Sequence, residues 1–159
     1  EKEAKIMKIA IVSGYFNPLH VGHLDYMEAA KKIADKLFVI INNDYQVSLK
    51  GSTFFMCESE RKRIVSALRF VDDTFISRDK DESVLGTLQR ILVSHQANGR
   101  NSFIFCNGGD RSSTNTPEER LCSSNSYHLT SVYNVGGKKR QSSSDLISIA
   151  AKKDGCSQI

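Results

Sequence analysis

His20 and His23 stand in the run Ser13-Gly14-Tyr15-Phe16-Asn17-Pro18-Leu19-His20-Val21-Gly22-His23-Leu24, directly after the apolar residues Ile9 to Val12. Imidazoles supply ring N–H donors, and Gly22 beside them lets a backbone come close. At a helix start, where unpaired N–H groups carry partial positive charge, such a pair suits a crowded anionic phosphate. Two plainer roles stay open. The histidines can cap the helix, or they can act as an i, i+3 metal pair, although no acidic or thiol partner sits at an obvious spacing.

Ser142 followed three residues later by Asp145 reads as a capping-box-like helix start, and the same first turn could also hold phosphate. Arg61 has the fork geometry that suits phosphate, or it is a surface helix arginine. Asp44 and Asp110 follow strand candidates near a ligand edge, or are turn aspartates. Tyr15, Phe16 and Tyr26 read as core or pocket walls rather than a stacking platform for nucleic acid, and His95 and His128 as structural. Lys138-Lys139-Arg140 is a solvated loop or, the favoured reading, a lid leading into Ser142.

These residues need elements to hold them. Ile9 to Val12 and Leu37 to Ile41 are continuous apolar runs of strand length, which read as strands buried on both faces. Leu24, Met27, Ala30, Ile33 and Ala34 recur between them at helical spacing, giving a right-handed β-α-β unit. Arg61 to Val71 carries a helical pattern before the strand candidate Thr74 to Ile76. Val84 to His95 carries another, broken by Asn98-Gly99-Arg100-Asn101 before the strand Ser102 to Cys106. Arg111 to Glu119 reads as a surface loop, Leu129 to Val135 as a last strand, and Ser144 to Lys152 as a last helix. This alternation predicts an α/β fold: a Rossmann-like open parallel sheet of about five strands with helices on both faces. Open parallel sheets collect ligands where their strands end, and His20, His23, Asp44 and Asp110 follow strand ends.

The 159 residues predict a single domain over 1–159, frayed at 1–5 and 154–159. Net charge is +4, yet the 22 basic residues are spread along the chain, so a small anionic substrate is expected and a nucleic acid is not. No run approaches about 18 apolar residues and no charged-then-apolar leader is visible, so the expectation is no membrane partner and a cytoplasmic location. Cys57, Cys106, Cys122 and Cys156 form no C-x-x-C pair, which argues against a zinc site or a disulfide scaffold.

Four blocks in order, His20-Val21-Gly22-His23, Glu60-Arg61-Lys62 with Leu68-Arg69-Phe70-Val71-Asp72, Gly108-Gly109-Asp110, and Ser142-Ser143-Ser144-Asp145-Leu146, resemble the cytidylyltransferase-like nucleotidyltransferase superfamily. Lys8 to Asp44 is similar to glycerol-3-phosphate cytidylyltransferase and to the adenylyltransferase domain of ADP-heptose synthesis. The resemblance implies transfer of a nucleoside monophosphate from a triphosphate to a small phosphorylated alcohol, sugar or phosphonate, with release of pyrophosphate. CTP is the favoured donor and ATP the next. It further implies Mg²⁺ bound through the triphosphate with no protein metal ligands, and a homodimer.

By the same resemblance His20, His23 and Arg61 are expected to be catalytic. Gly14, Tyr15, Phe16, Gly22, Gly108, Asp110, Ser142, Ser143 and Ser144 are expected at the nucleotide, and Asp44 and Lys50 at the acceptor. Two departures stand out. Phe16-Asn17-Pro18 replaces the F-D-x of the cytidylyltransferases and is closer to nicotinamide mononucleotide adenylyltransferases, and Arg140 stands where the family usually has glycine. Arg140 best supports the alternative, a non-catalytic nucleotide-binding or regulatory domain of the same fold; intact His20, His23 and Arg61 weigh against it.

Overall fold

Apolar residues at every position of a strand require cover on both faces, and that is what Ile9 to Val12 receive. The computed structural model describes residues 6–53, 55–108, 117–124, 127–137 and 142–155. Its elements run β1 (Lys8–Gly14), α1 (Val21–Lys32), β2 (Lys36–Ile41), α2 (Asp44–Leu49), α3 (Glu58–Ser66), β3 (Asp73–Ile76), α4 (Leu85–His95), β4 (Ser102–Cys106), α5 (Glu119–Ser124), β5 (Leu129–Val132) and α6 (Ser143–Gly155). The five strands form one sheet in the order β3-β2-β1-β4-β5, and every neighbouring pair is parallel. Ala10 and Val12 point to one face with Met27 and Ala30 of α1 and Val65 of α3. Ile9 and Ile11 point to the other, with Leu88 and Leu92 of α4 and Phe103 and Phe105. The expected Rossmann-like α/β fold is the observed one.

Strand order reverses between β1 and β4, so the chain leaves their carboxyl ends in opposite directions and opens a crevice there. The turn after β5 closes one side of this end. Val135 N–H donates to Asn107 O, and Gly136 has φ +84 with its backbone against α1, where an added Cβ would lie 3.0 Å from Tyr26 Cα.

Several boundaries differ from expectation for local reasons. The helical pattern of Arg61 to Val71 outlasts its helix: α3 ends at Ser66, and Leu68 and Val71 reach the core through successive short turns closed on Val65 O and Leu68 O. β5 stops at Val132 rather than Val135 because Asn134 turns at φ 57. Residues 154–155, expected to fray, are helical in α6, while 1–5 and 156–159 lie outside the described residues. His95 is structural, as expected: its ring packs against Phe38 and Phe75. Among the described residues no helix is long and apolar enough to cross a membrane.

Candidate functional site

His20 is the N-cap of α1 and His23 its third residue, and the two close a reciprocal box. Gly22 N–H donates to His20 Nδ1 at 3.1 Å, and His20 N–H donates to His23 Nδ1 at 3.2 Å. The rings stack with centroids 3.8 Å apart. A nitrogen that accepts a backbone N–H cannot also carry a proton, so the neutral tautomer of both rings is fixed with hydrogen on Nε2. Capping therefore does not compete with phosphate contact; it aims each ring as a donor. Beneath them Phe16, buried at φ 51, meets His23 edge-on at 4.9 Å. Gly14 makes room for it, since a Cβ there would lie 2.9 Å from Phe16 Cζ. Gly14 and Phe16, expected at the nucleotide, thus build the floor under His23.

A cavity of about 100 Å³ gathers Tyr15, His20, His23, Lys50 and Ser142 to Ser144 at the carboxyl edge of the sheet. Ser142 Oγ accepts from Asp145 N–H at 3.1 Å, so the expected helix cap is present, while Ser143 Oγ donates to Pro18 O and ties α6 to the β1–α1 connection. The N–H groups of Ser143 and Ser144 belong to the first turn, where no carbonyl of the helix can accept them. Two helix N-termini, those of α1 and α6, meet at this cavity. Lys50 follows α2 and places Nζ 4.4 Å from the centre of the Tyr15 ring.

Lys50 and Tyr15 also wall a second cavity of about 220 Å³, reaching past Gly14 and Asn42 to Glu82 and Glu118. A broader hollow of about 580 Å³ opens along β3 between Lys62, Arg78 and Arg90, and shares no lining residue with the other two.

Arg61 requires a correction. Its side chain is buried behind the site rather than facing a cavity, and it spends its donors on protein. Nη1 donates to Tyr15 O and Asn42 O, both at 2.7 Å, Nη2 to Asp44 Oδ1 at 2.8 Å, and Nε to Met56 O at 3.1 Å. It sits one turn before Val65 on the inward side of α3, which a helical pattern read from apolar residues alone does not reveal. Asp44, expected at the acceptor, is Arg61's ion-pair partner; its side chain keeps one third of its surface exposed and lines neither cavity.

Gly108 follows β4, half-buried, and lines neither cavity; the expected sites Gly109 and Asp110, and the Lys138-Lys139-Arg140 lid, lie outside the described residues. Glu118 falls in the segment expected to be a surface loop, yet it is 2% exposed. Its Oε1 accepts from Val84 N–H at 3.1 Å, and its Oε2 has no partner among the described residues; Asn107 Oδ1 is the other such buried atom. Pro117 just before an acidic pair is a helix-start signal, but no local pattern tells that Glu118 turns inward, because its partner is 34 residues away. Asn43 and Gln46 did carry a legible signal, the capping box that starts α2.

A family model described as cytidylyltransferase-like matches residues 11–120. The chain belongs to this family. Within this cytidylyltransferase-like family, the FAD synthase of Picrophilus torridus is 39% identical over 75 residues, 47% of this chain and 53% of that protein. The bifunctional protein HldE of Koribacter versatilis is 39% identical over 90 residues, 54% of this chain and 18% of that protein. The matches to FAD synthases thus span about half to two thirds of the length of those proteins. Among solved structures, a lipopolysaccharide core biosynthesis protein from Thermoplasma volcanium shares the fold, with a TM-score of 0.64 at 22% identity over 85% of this chain and 99% of that one.

Proposed function

We propose that this chain transfers a nucleoside monophosphate from a nucleoside triphosphate to a small phosphorylated acceptor and releases pyrophosphate. The observation that carries the reading is the cavity in which two Nε2–H imidazoles, Lys50 and the α6 N-terminus converge. A phosphate monoester is largely ionised at neutral pH, so its oxygen attacks the α-phosphorus without a strong general base. As that P–O bond forms, the bond to the β-phosphate breaks and its electron pair leaves on pyrophosphate. His20 and His23 donate to the α-phosphate and to the leaving oxygen, where charge grows. The first turn of α6 holds the β- and γ-phosphates. Arg61 acts one step back, holding the Tyr15 and Asn42 carbonyls in place.

Among the described residues no cluster of three acidic, histidine or cysteine side chains could hold a metal ion. Mg²⁺ would enter on the triphosphate and would supply neutralisation of phosphate charge there. FAD synthases make an adenine dinucleotide, and this moves the first choice of donor from CTP to ATP.

The test is pyrophosphate release with Mg²⁺, ATP or CTP, and a panel of phosphorylated polyols, sugars, phosphonates and FMN. Turnover with one pair, slowed by about 10²–10³-fold in His20→Ala and in His23→Ala, is expected. Nucleotide binding without turnover on any acceptor would instead favour a non-catalytic binding domain.

A further inference from the structure

Glu118 is the one carboxylate in the described structure that is buried with an oxygen left unpartnered, and it lines the 220 Å³ cavity. Leaving a buried acceptor unmatched is costly, and a carboxylate more so than a carbonyl. Ion pairing does not explain it, because neither Glu118 oxygen is within salt-bridge reach of a described lysine or arginine. Glu82 stands in the same cavity wall, on a loop pinned by Gln46, whose Nε2 donates to Asp81 O at 2.7 Å and Ser83 O at 2.8 Å.

The cavity is thus divided by charge. Lys50, at the boundary with the His20 and His23 cavity, marks a cationic end; Glu82 and Glu118 mark an acidic end. Phosphate is attracted to the first and repelled by the second. Among the described residues the second offers Glu118 Oε2 no hydrogen-bond donor, and a neutral hydroxyl supplies one without bringing charge.

Resting on the transferase reading, we infer that Glu118 is a specificity residue that accepts hydrogen bonds from the hydroxyl groups of a polyol or sugar phosphate, the acceptor lying with its phosphate at Lys50 and its hydroxylated body toward Glu118 and Glu82. A site built to bind a hydroxyl rejects the analogue that lacks it, because the buried carboxylate is then left unpaired. The described lining is also polar, and Tyr15 is the only aromatic ring among the described lining residues, which suits a polyol better than a flat flavin.

The test is calorimetry on the full chain saturated with Mg²⁺ and the non-reacting α,β-methylene-ATP. Glycerol 3-phosphate and ribitol 5-phosphate are compared with n-propyl phosphate, which has the carbon count of the first and no hydroxyl. Wild type is expected to favour the polyol phosphates by about tenfold or more, and Glu118→Gln to erase that preference while keeping n-propyl phosphate affinity. The exposed Glu82→Gln is expected to erase part of it, and the wild-type comparison needs no variant at all. Equal affinity for the three phosphates, no heat from either polyol phosphate, or a preference that survives Glu118→Gln would overturn the inference. So would tight binding of Mg²⁺ alone that Glu118→Gln abolishes, since the occupant would then be a cation. The two readings fail separately. Selective binding without pyrophosphate release sinks the transferase, whereas turnover that is indifferent to Glu118→Gln sinks only this role.

Discussion

Arg61 and Glu118 are both buried charges at the carboxyl edge of one sheet, 1% and 2% exposed, yet their surroundings differ. Arg61 donates to three carbonyls and to the carboxylate of Asp44. Glu118 accepts from Val84 N–H and has an oxygen with no described partner. A buried charge matched on nearly every donor is a clasp: it draws the β1–α1 connection, the end of β2 and the start of α2 onto α3. A buried charge left partly unmatched costs folding free energy, and we infer that at Glu118 it marks a place for a ligand. On the proposed reading, the contrast separates residues that hold the site from residues that would meet its ligand.

The largest effect expected from this contrast is on stability. Arg61→Met leaves three carbonyls and a carboxylate without their donor, and chemical denaturation should record a loss of about 3–5 kcal/mol. Glu118→Gln should leave the denaturation midpoint near or above wild type. If Glu118→Gln proved as destabilising as Arg61→Met, both would be clasps and the distinction would collapse.

Next come the two histidines proposed to meet the phosphates. In a folded protein, His20→Ala or His23→Ala should slow turnover by about 2.7–4 kcal/mol in activation free energy, by analogy with loss of an oxyanion-hole donor. Each variant should also lose a helix cap worth about 0.5–2 kcal/mol, seen by denaturation. A variant with the stability loss but wild-type turnover would assign the histidines to capping alone.

Gly14→Ala joins the two classes, because the added methyl would strike Phe16, which supports His23. Overpacking there should cost about 1–3 kcal/mol of stability, with turnover falling alongside it. Unchanged turnover would mean that Phe16 does not position His23.

The smallest effect belongs to the exposed pair of Lys31 and Asp72, 2.6 Å apart. Burial raises the Asp72 carboxyl, but the hydrogen bond from Lys31, the Leu37 N–H and the charges of Lys31 and Lys36 outweigh it and hold its pKa below the ordinary value. A depressed carboxyl stabilises the fold above its unfolded pKa, and that contribution fades as pH falls through the folded value. Asp72→Asn should therefore cost about 0.2–1 kcal/mol at neutral pH and progressively less under acid conditions, measured by denaturation across pH. A cost matching that of Arg61→Met would show that burial does not set the scale.

What the sequence made legible follows how far each interaction reaches along the chain. Apolar runs and helical spacing expose β1, β2, β4 and α4 because burial repeats locally. The spacing of His20 and His23 exposes their box because a capping box closes within one turn. Arg61 was misjudged because its oxygen partners lie at Tyr15 and Asn42, 46 and 19 residues away, and a guanidinium does not announce whether it faces phosphate or backbone. Glu118 was hidden for the same reason, with polar neighbours that read as solvent-exposed. Only the closing of the sheet brings such distant partners together.

The most direct test of the central claim follows the α-phosphorus. ATP labelled there, incubated with Mg²⁺ and glycerol 3-phosphate or another turned-over acceptor, should transfer its label to the acceptor in equal amount to the pyrophosphate released, and His20→Ala should slow both by about 10²–10³-fold. Label that stays in ATP, or that appears as free AMP whether or not an acceptor is present, would contradict nucleotidyl transfer at this site.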